Sequence, residues 1–158
     1  ERVAVVLHGK IGSFYARALE GASADPRMVA LSYRSLVRHV VQPNVGAYAV
    51  DIFGHSWSPE VGQLIDALYE PRRSKHQPAQ FWECPVAFDP RYCSRTRSHV
   101  EGIRRAMALK RDEERATGVA YEAVLLSRWD VVWQEPKEVP VALCQGVAIK
   151  HADVSVLA

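Results

Sequence analysis

A chain of 158 residues that is 48% apolar and 24% charged, with nine glycines and nine prolines, has the proportions of one folded domain. It is not a disordered, collagenous or low-complexity segment. Twenty Lys and Arg against 18 Asp and Glu leave a formal charge of +2, which argues against a general nucleic-acid binder. Charge-free stretches fall far short of the ~20 residues needed to cross a bilayer. Three cysteines, Cys84, Cys93 and Cys144, without a CxxC spacing, argue against a disulfide framework or a structural zinc site; a single Cys84–Cys93 bridge stays open.

The chain opens in a short apolar run, residues 3–7 (Val-Ala-Val-Val-Leu), the pattern of a strand covered on both faces. His8-Gly9-Lys10-Ile11-Gly12-Ser13 follows, suited to a tight loop at the ligand-binding edge of a parallel sheet. Residues 14–22 are expected to form a short helical turn. Asp25-Pro26 then starts a helix with a carboxylate cap and a first-turn proline, its apolar face marked by Val29, Tyr33, Leu36, Val37 and Val40. Pro43 is expected to stop it. Residues 49–53 (Ala-Val-Asp-Ile-Phe) read as a second strand, and Ser58-Pro59 as the cap of a helix built on Val61, Leu64, Ile65 and Leu68. Residues 70–93, broken by four prolines, read as irregular apart from a short strand at 86–88. The longest helix is expected over 94–117, with Val100, Ile103, Ala106 and Met107 inward, Arg104, Arg105, Lys110 and Arg111 outward, and Gly118 as its stop. Residues 120–126 read as a buried strand, 139–149 as a broken apolar segment, and 154–157 as a last strand. Strands alternating with amphipathic helices predict an α/β fold with a mostly parallel sheet flanked by helices, in one domain over 1–158.

Ligands of such sheets bind beyond the carboxyl ends of the strands, and three strand ends here carry polar groups: residues 8–13, residues 55–58, and Arg128 with Asp130. Backbone N–H groups around Gly9 and Gly12, with Lys10, suit an anion, although the segment lacks the full phosphate-loop pattern. Arg72-Arg73-Ser74-Lys75-His76 is either a solvated helix end or counter-charge for a phosphorylated ligand. Asp51 sits within an apolar strand and needs a partner. Asp130, in aromatic surroundings, is either tied to Arg128 as an internal ion pair or used by a ligand. His55 and then His8 are the leading histidines; His39, His99 and His151 lack partner spacing. Trp57 with Trp82, and Trp129 with Trp133, suit ring stacking or packing. The motifs of zinc hydrolases and serine hydrolases are absent.

Four segments, RVAVVLHGKIGSF, YAVDIFGHSWSPE, LYEPRRSK and YEAVLLSRWDVVW, resemble in order and spacing those of glycosyltransferases with the GT-A fold, over residues 2–133. The resemblance implies a Rossmann-like GT-A domain that transfers a sugar from a nucleoside-diphosphate donor to an acceptor hydroxyl. It places Gly9, Gly12 and Asp51 near the nucleotide, His55 and Trp57 near the donor pocket, and Arg72, Arg73 and Lys75 on phosphates. Asp130 would take the place of the metal-associated acidic motif, holding Mg²⁺ or Mn²⁺, with Arg128 beside it. The usual Asp-x-Asp reads Arg128-Trp129-Asp130 here, so Arg128 takes over part of the metal's role or another residue helps. Residues 1–133 would form the donor half and 134–158 a short remnant of the acceptor half, a piece whose compartment, cytoplasm or secretory lumen, depends on sequence outside it. The competing readings are a non-catalytic relative that binds a nucleotide or partner, and another Rossmann-like nucleotide enzyme such as a kinase or nucleotidyltransferase.

Overall fold

The computed structural model describes residues 1–12, 24–85, 89–136, 149–151 and 154–157. Strand β1 (Arg2–Gly9) is the centre of the sheet. It pairs in parallel with β2 (Ala49–Ser56) on one side and with β4 (Ala123–Arg128) on the other; β3 (Arg73–His76) adds in parallel outside β2. Two antiparallel strands, β5 (Ile149–His151) and β6 (Val154–Leu157), extend the sheet beyond β4, giving the order β3-β2-β1-β4-β6-β5. The expected α/β class with a parallel sheet at its centre is therefore present, as is the strand over 154–157. The expectations for 14–22, 86–88 and most of 139–149 lie outside the described residues.

The continuous apolar run of β1 exists because both its faces are covered. Ala4 and Val6 pack with Phe53 and Val124 against Ala106 of helix α4 (Pro90–Thr117). Val5 and Leu7 pack with Leu125 against helices α1 (Pro26–Leu36) and α3 (Gly62–Tyr69), through Val29, Leu36, Ile65 and Tyr69. Each fully buried valine or leucine contributes roughly 1.5–3 kcal/mol relative to exposure. The chain moves outward through β1, β2 and β3 with α1 and α3 on one face. It then returns to β4 through α4 on the other face, as right-handed crossovers in opposite directions require.

Asp25 caps α1 as its sequence predicts: extended itself, it accepts from the Arg27 backbone N–H at 2.9 Å, and Pro26 opens the first turn. Pro43 does not end the helix. The chain widens into a π-turn (Val37–Val41) and closes with a three-residue α2 (Gln42–Asn44) that contains the proline. In a regular α-helix the Pro43 ring would meet the carbonyl four residues back, and the wider turn relieves that clash. Ser58 does not cap a helix with its side chain either: Pro59–Val61 is a 3₁₀ turn leading into α3, and the Ser58 hydroxyl accepts from Ile11 N–H at 3.1 Å. The basic run after α3 is strand rather than loop. As an edge strand paired only with β2, β3 needs no apolar alternation and carries charge instead.

Helix α4 starts earlier than its apolar pattern suggests, with Asp89 as its cap and Gly118, at φ +71°, as its stop. Its buried stripe is Gly102, Ala106 and Lys110, whereas Val100 is 58% exposed and Arg105 is half-buried. The expected inward Val100 and outward Lys110 are thus exchanged. Small side chains let the helix lie close on β1 and β2, and that contact sets its rotation. Lys110 tolerates burial because its amine reaches Glu114 at 2.6 Å and faces the Tyr121 ring at 5.4 Å. Cys84 and Cys93 form a disulfide tying the preceding segment to the first turns of α4. No helix among the described residues is long and apolar enough to cross a membrane.

Two further features hold the sheet, one at the carboxyl ends of its strands and one nearer their amino ends. The buried Trp129 indole lies against Gly54 and donates to the His55 carbonyl at 2.9 Å, and a Cβ at position 54 would overlap the ring. Asp51 takes hydrogen bonds from Arg2 at 2.6 and 2.9 Å, Arg72 at 2.8 Å and Tyr121 at 2.9 Å, joining four separate segments. Burial alone would raise the Asp51 pKa, but the hydrogen bonds from Arg72, Arg2 and Tyr121 together bring it below the usual carboxyl value.

Gly54→Ala is expected to cost about 1–3 kcal/mol in urea unfolding, because neither the sheet nor the anchored indole can withdraw freely. Asp51→Asn is expected to cost about 1–3 kcal/mol at pH 7. A carboxylate with a depressed folded pKa contributes fully above its unfolded value near 4 and loses that contribution as pH falls through the folded value. Wild type and D51N should therefore converge in stability below about pH 4, which unfolding curves across pH will check.

Candidate functional site

Parallel register brings the polar strand ends into line. His8 of β1 lies opposite His55 of β2 and Arg128 of β4, and His55 lies opposite Lys75 of β3. Side chains alternate along strands, and the preceding same-face residues Val6, Phe53 and Leu126 pack with Ala106 of α4. Lys75, His55, His8 and Arg128 therefore form one row across the carboxyl ends of the sheet, on the α4 face.

The direction of the chain reverses between β1 and β4, since β2 and β3 lie to one side and β4 to the other. The loops leaving β1 and β4 start from this switch point, and a crevice lies beside them under the first turns of α4. It is a cleft of about 650 Å³. On one side lie Gly9, Lys10, Trp57 and Arg128; on the other, residues 79–81 and the first turns of α4 as far as His99.

Gly9 adopts φ +103°, a conformation that favours glycine, and turns the chain out of β1. Its carbonyl accepts from Trp57 N–H at 3.1 Å, tying the loop after β1 to the end of β2. Ile11 is buried, so Lys10 is left exposed on the cleft rim. Gly12 lies beside Asp130, where a Cβ would make ordinary contact with the carboxylate at 3.4 Å. Arg128 grips Asp130 with two hydrogen bonds of 2.7 Å, one to each oxygen. The ion pair expected as the internal alternative is formed, and it presents the Arg128 guanidinium at the cleft in a fixed orientation.

Beneath the cleft His8 and His55 are packed rather than solvated, while His99 is exposed on the cleft wall. His8 is 3% exposed, and its ring meets His99 edge-to-face at 4.8 Å. Burial, helped by His99 and Arg128, pushes the His8 pKa down to about 3. His55 is fully buried beside the Trp57 ring, at 4.4 Å, and its Nε2 meets the Gln77 side-chain oxygen at 3.1 Å. Burial lowers its pKa as well, against the opposing hydrogen bond that the ring donates to Gln77; burial and then Arg128 lower that of His99. These rings are neutral at pH 7. Trp57 is held by the Ser98 carbonyl at 3.2 Å and covered by the Arg105 guanidinium, 4.9 Å from its ring centre. α4 comes this close because residue 102 is glycine: a Cβ there would stand 3.3 Å from Trp57 Nε1 and 3.8 Å from His8 Nδ1.

The structure thus gathers His8, Gly9, Lys10, Gly12, His55, Trp57, Arg128 and Asp130 at one edge, with Lys75 exposed at the end of the row. It does not bring Asp51, Arg72 or Arg73 there. Asp51 is four residues before His55, roughly 13 Å back along β2 at ~3.3 Å per residue. Arg72 is its ion-pair partner, and Arg73 binds Glu113 of α4 at 2.7 Å. The three build the far clasp of the sheet. Of the tryptophans, Trp129 and Trp133 serve packing, and Trp82 lies under Arg97 at 5.5 Å. Sequence reasoning missed His99, whose partner His8 is distant in the chain, and it missed Arg91 and Arg95 of the cleft wall.

A divalent ion at Asp130, which the resemblance implies, does not fit these residues. Both carboxylate oxygens are engaged by Arg128, and among the described residues no group of three His, Cys, Asp or Glu converges to hold a metal. The positive charge at this position is the guanidinium.

A histidine with a lowered folded pKa costs stability once the unfolded chain binds its proton, so stability should fall as pH drops below about 6.5. His8 alone should contribute a slope of up to about 1.4 kcal/mol per pH unit. His8→Gln should flatten the profile between pH 7 and 5, whatever its effect at pH 7; an unchanged slope in urea unfolding would place the titration elsewhere. No protein-family model, curated protein or solved structure matches this chain.

Proposed function

We propose that this chain is the donor-binding part of a GT-A-type glycosyltransferase, moving a sugar from a nucleoside-diphosphate donor to an acceptor hydroxyl. The observation that carries the reading is the cleft at the switch point of the parallel sheet, with Lys10 and Arg128 beside the glycine turn that leaves β1. Breaking the bond between the anomeric carbon and the diphosphate leaves negative charge on the departing oxygens. Cations placed in advance at that point stabilise the transition state. In this reading Arg128 offsets that charge, and Asp130 is a positioning residue that sets the angle of the guanidinium. His8, His55 and Trp57 form the dry floor, which keeps water from competing with the acceptor.

One observation favours a second reading. The Arg128–Asp130 pair satisfies both its members, as it would in a relative that binds a nucleotide without transferring sugar. Both readings require a nucleotide in the cleft and differ in whether the sugar leaves.

A melting-temperature panel of UDP, GDP, CMP, ADP and ATP tests the shared requirement. One nucleoside diphosphate should stabilise the domain by about 2.7 kcal/mol at 100 times its dissociation constant. Asp130→Asn should weaken that stabilisation, because the guanidinium loses its fixed angle. Preference for a triphosphate would favour a kinase-like or nucleotidyltransferase chemistry, and a folded protein that responds to none of the five would end the donor-site reading. With the matching nucleotide sugar, slow release of the nucleoside diphosphate supports transfer; binding without release supports the non-catalytic relative.

A further inference from the structure

We infer that Arg91 and Arg95, at the start of α4, hold the two phosphates of the ligand together with Lys10 and Arg128, and do so without a divalent cation. The inference rests on the nucleotide reading above and names the groups that would recognise its diphosphate. Four cations from three separate segments line one cleft, and among the described residues no carboxylate lines it. Such a lining selects a ligand with more than one negative charge.

The arginines are costly where they stand. Arg91 and Arg95 fall in the first two turns of a 28-residue helix whose first turn has no acidic residue. That end of a helix favours anions and disfavours cations. Residues four apart share a face, so the two like charges also repel each other. Neither guanidinium makes a hydrogen bond or ion pair among the described residues; the Arg91 backbone N–H donates to the Asp89 cap at 2.9 Å. On the same helix Arg97 is bound to the Glu83 carbonyl at 2.6 Å, Arg104 and Arg105 to Glu101 at 2.7 Å, and Arg115 to Asp112 at 3.1 Å. A bound dianion would neutralise the pair and add to the negative charge that the Asp89 cap already places at the helix start.

The geometry suits two linked phosphates. Helical neighbours four residues apart stand about 5–6 Å apart at Cβ, close to the reach needed to hold adjacent phosphoryl groups. Arg128 and Lys10 approach from the strand ends across the cleft, so the diphosphate would be held from both sides. The first turns of α4 are anchored for this task by the Asp89 cap and the Cys84–Cys93 disulfide. Phe81, 79% exposed on the same wall, offers a ring face to the base or sugar beyond the phosphates. With Asp130 occupied by Arg128, the counter-charge comes from side chains, and metal is not needed to complete it.

Isothermal titration of the whole chain with inorganic pyrophosphate, UDP and GDP, in EDTA and again in Mn²⁺, tests this. Arg91→Gln and Arg95→Gln are compared with Arg111→Gln, an exposed arginine of α4 outside the cleft. Pyrophosphate should bind in EDTA, each cleft variant should weaken binding by at least about tenfold, and R111Q should leave it unchanged. The melting temperature of the two cleft variants should stay level or rise, since each removes a charge from the wrong end of a helix. Binding that requires Mn²⁺, or that ignores both substitutions, overturns the inference. If a nucleoside diphosphate binds wild type and both cleft variants alike, the phosphate assignment falls while the transferase reading survives. If pyrophosphate binds through the arginines and no nucleoside diphosphate does, the assignment stands and the transferase reading falls.

Discussion

The parallel register of β1 with its two neighbours is the constraint on which the rest depends. Pairing His8 with both His55 and Arg128 aligns three strand ends that are far apart in sequence. A slip of one residue on any strand would turn its polar terminal side chain to the opposite face and expose an apolar row to α4. The same alternation that buries Ala4, Val6, Phe53 and Val124 under α4 therefore delivers the site residues to that face. The core and the site are consecutive rows of one pattern.

That arrangement separates two electrostatic regimes within one sheet. Near the amino ends of β1 and β2, Asp51 draws Arg2, Arg72 and Tyr121 into a satisfied cluster. Near the carboxyl ends, cations accumulate around a cleft over neutral histidines. The first cluster stabilises the free protein. In the second, Arg128 is paired with Asp130, while the side chains of Lys10, Arg91 and Arg95 have no ion-pair partner among the described residues.

Much of the fold could be read from the residues. The run at 3–7, the Asp25-Pro26 start, the stripe on α3 and the Gly118 stop each carry a local signal strong enough to survive tertiary context. The errors have two causes. β3 lacks apolar alternation because an edge strand does not need it, and the rotation of α4 is decided by Gly102 and Ala106 rather than by its larger apolar residues; both depend on partners distant in the chain. The π-turn ahead of Pro43 is instead a local adjustment that lets the helix run on past the proline. The site divides in the same way: the strand ends announced themselves by polar residues after apolar runs, whereas His99, Arg91 and Arg95 acquire meaning only when α4 is laid over β1. Arg72 and Arg73 looked like ligand groups because nothing local marks Asp51 and Glu113 as their partners.

The bridge between Cys84 and Cys93 joins the two halves of one wall, the segment carrying Phe81 and the helical turn carrying Arg91 and Arg95. Such a crosslink persists in oxidising surroundings and is reduced by the thiol pools of a typical cytosol. The spacing between an aromatic ring and a pair of guanidinium groups is thereby coupled to the chemistry of the medium. Protein recovered from a reducing host would carry two thiols at this place and a wall with one fewer covalent restraint, so the oxidation state of this cysteine pair belongs among the conditions that define the native molecule.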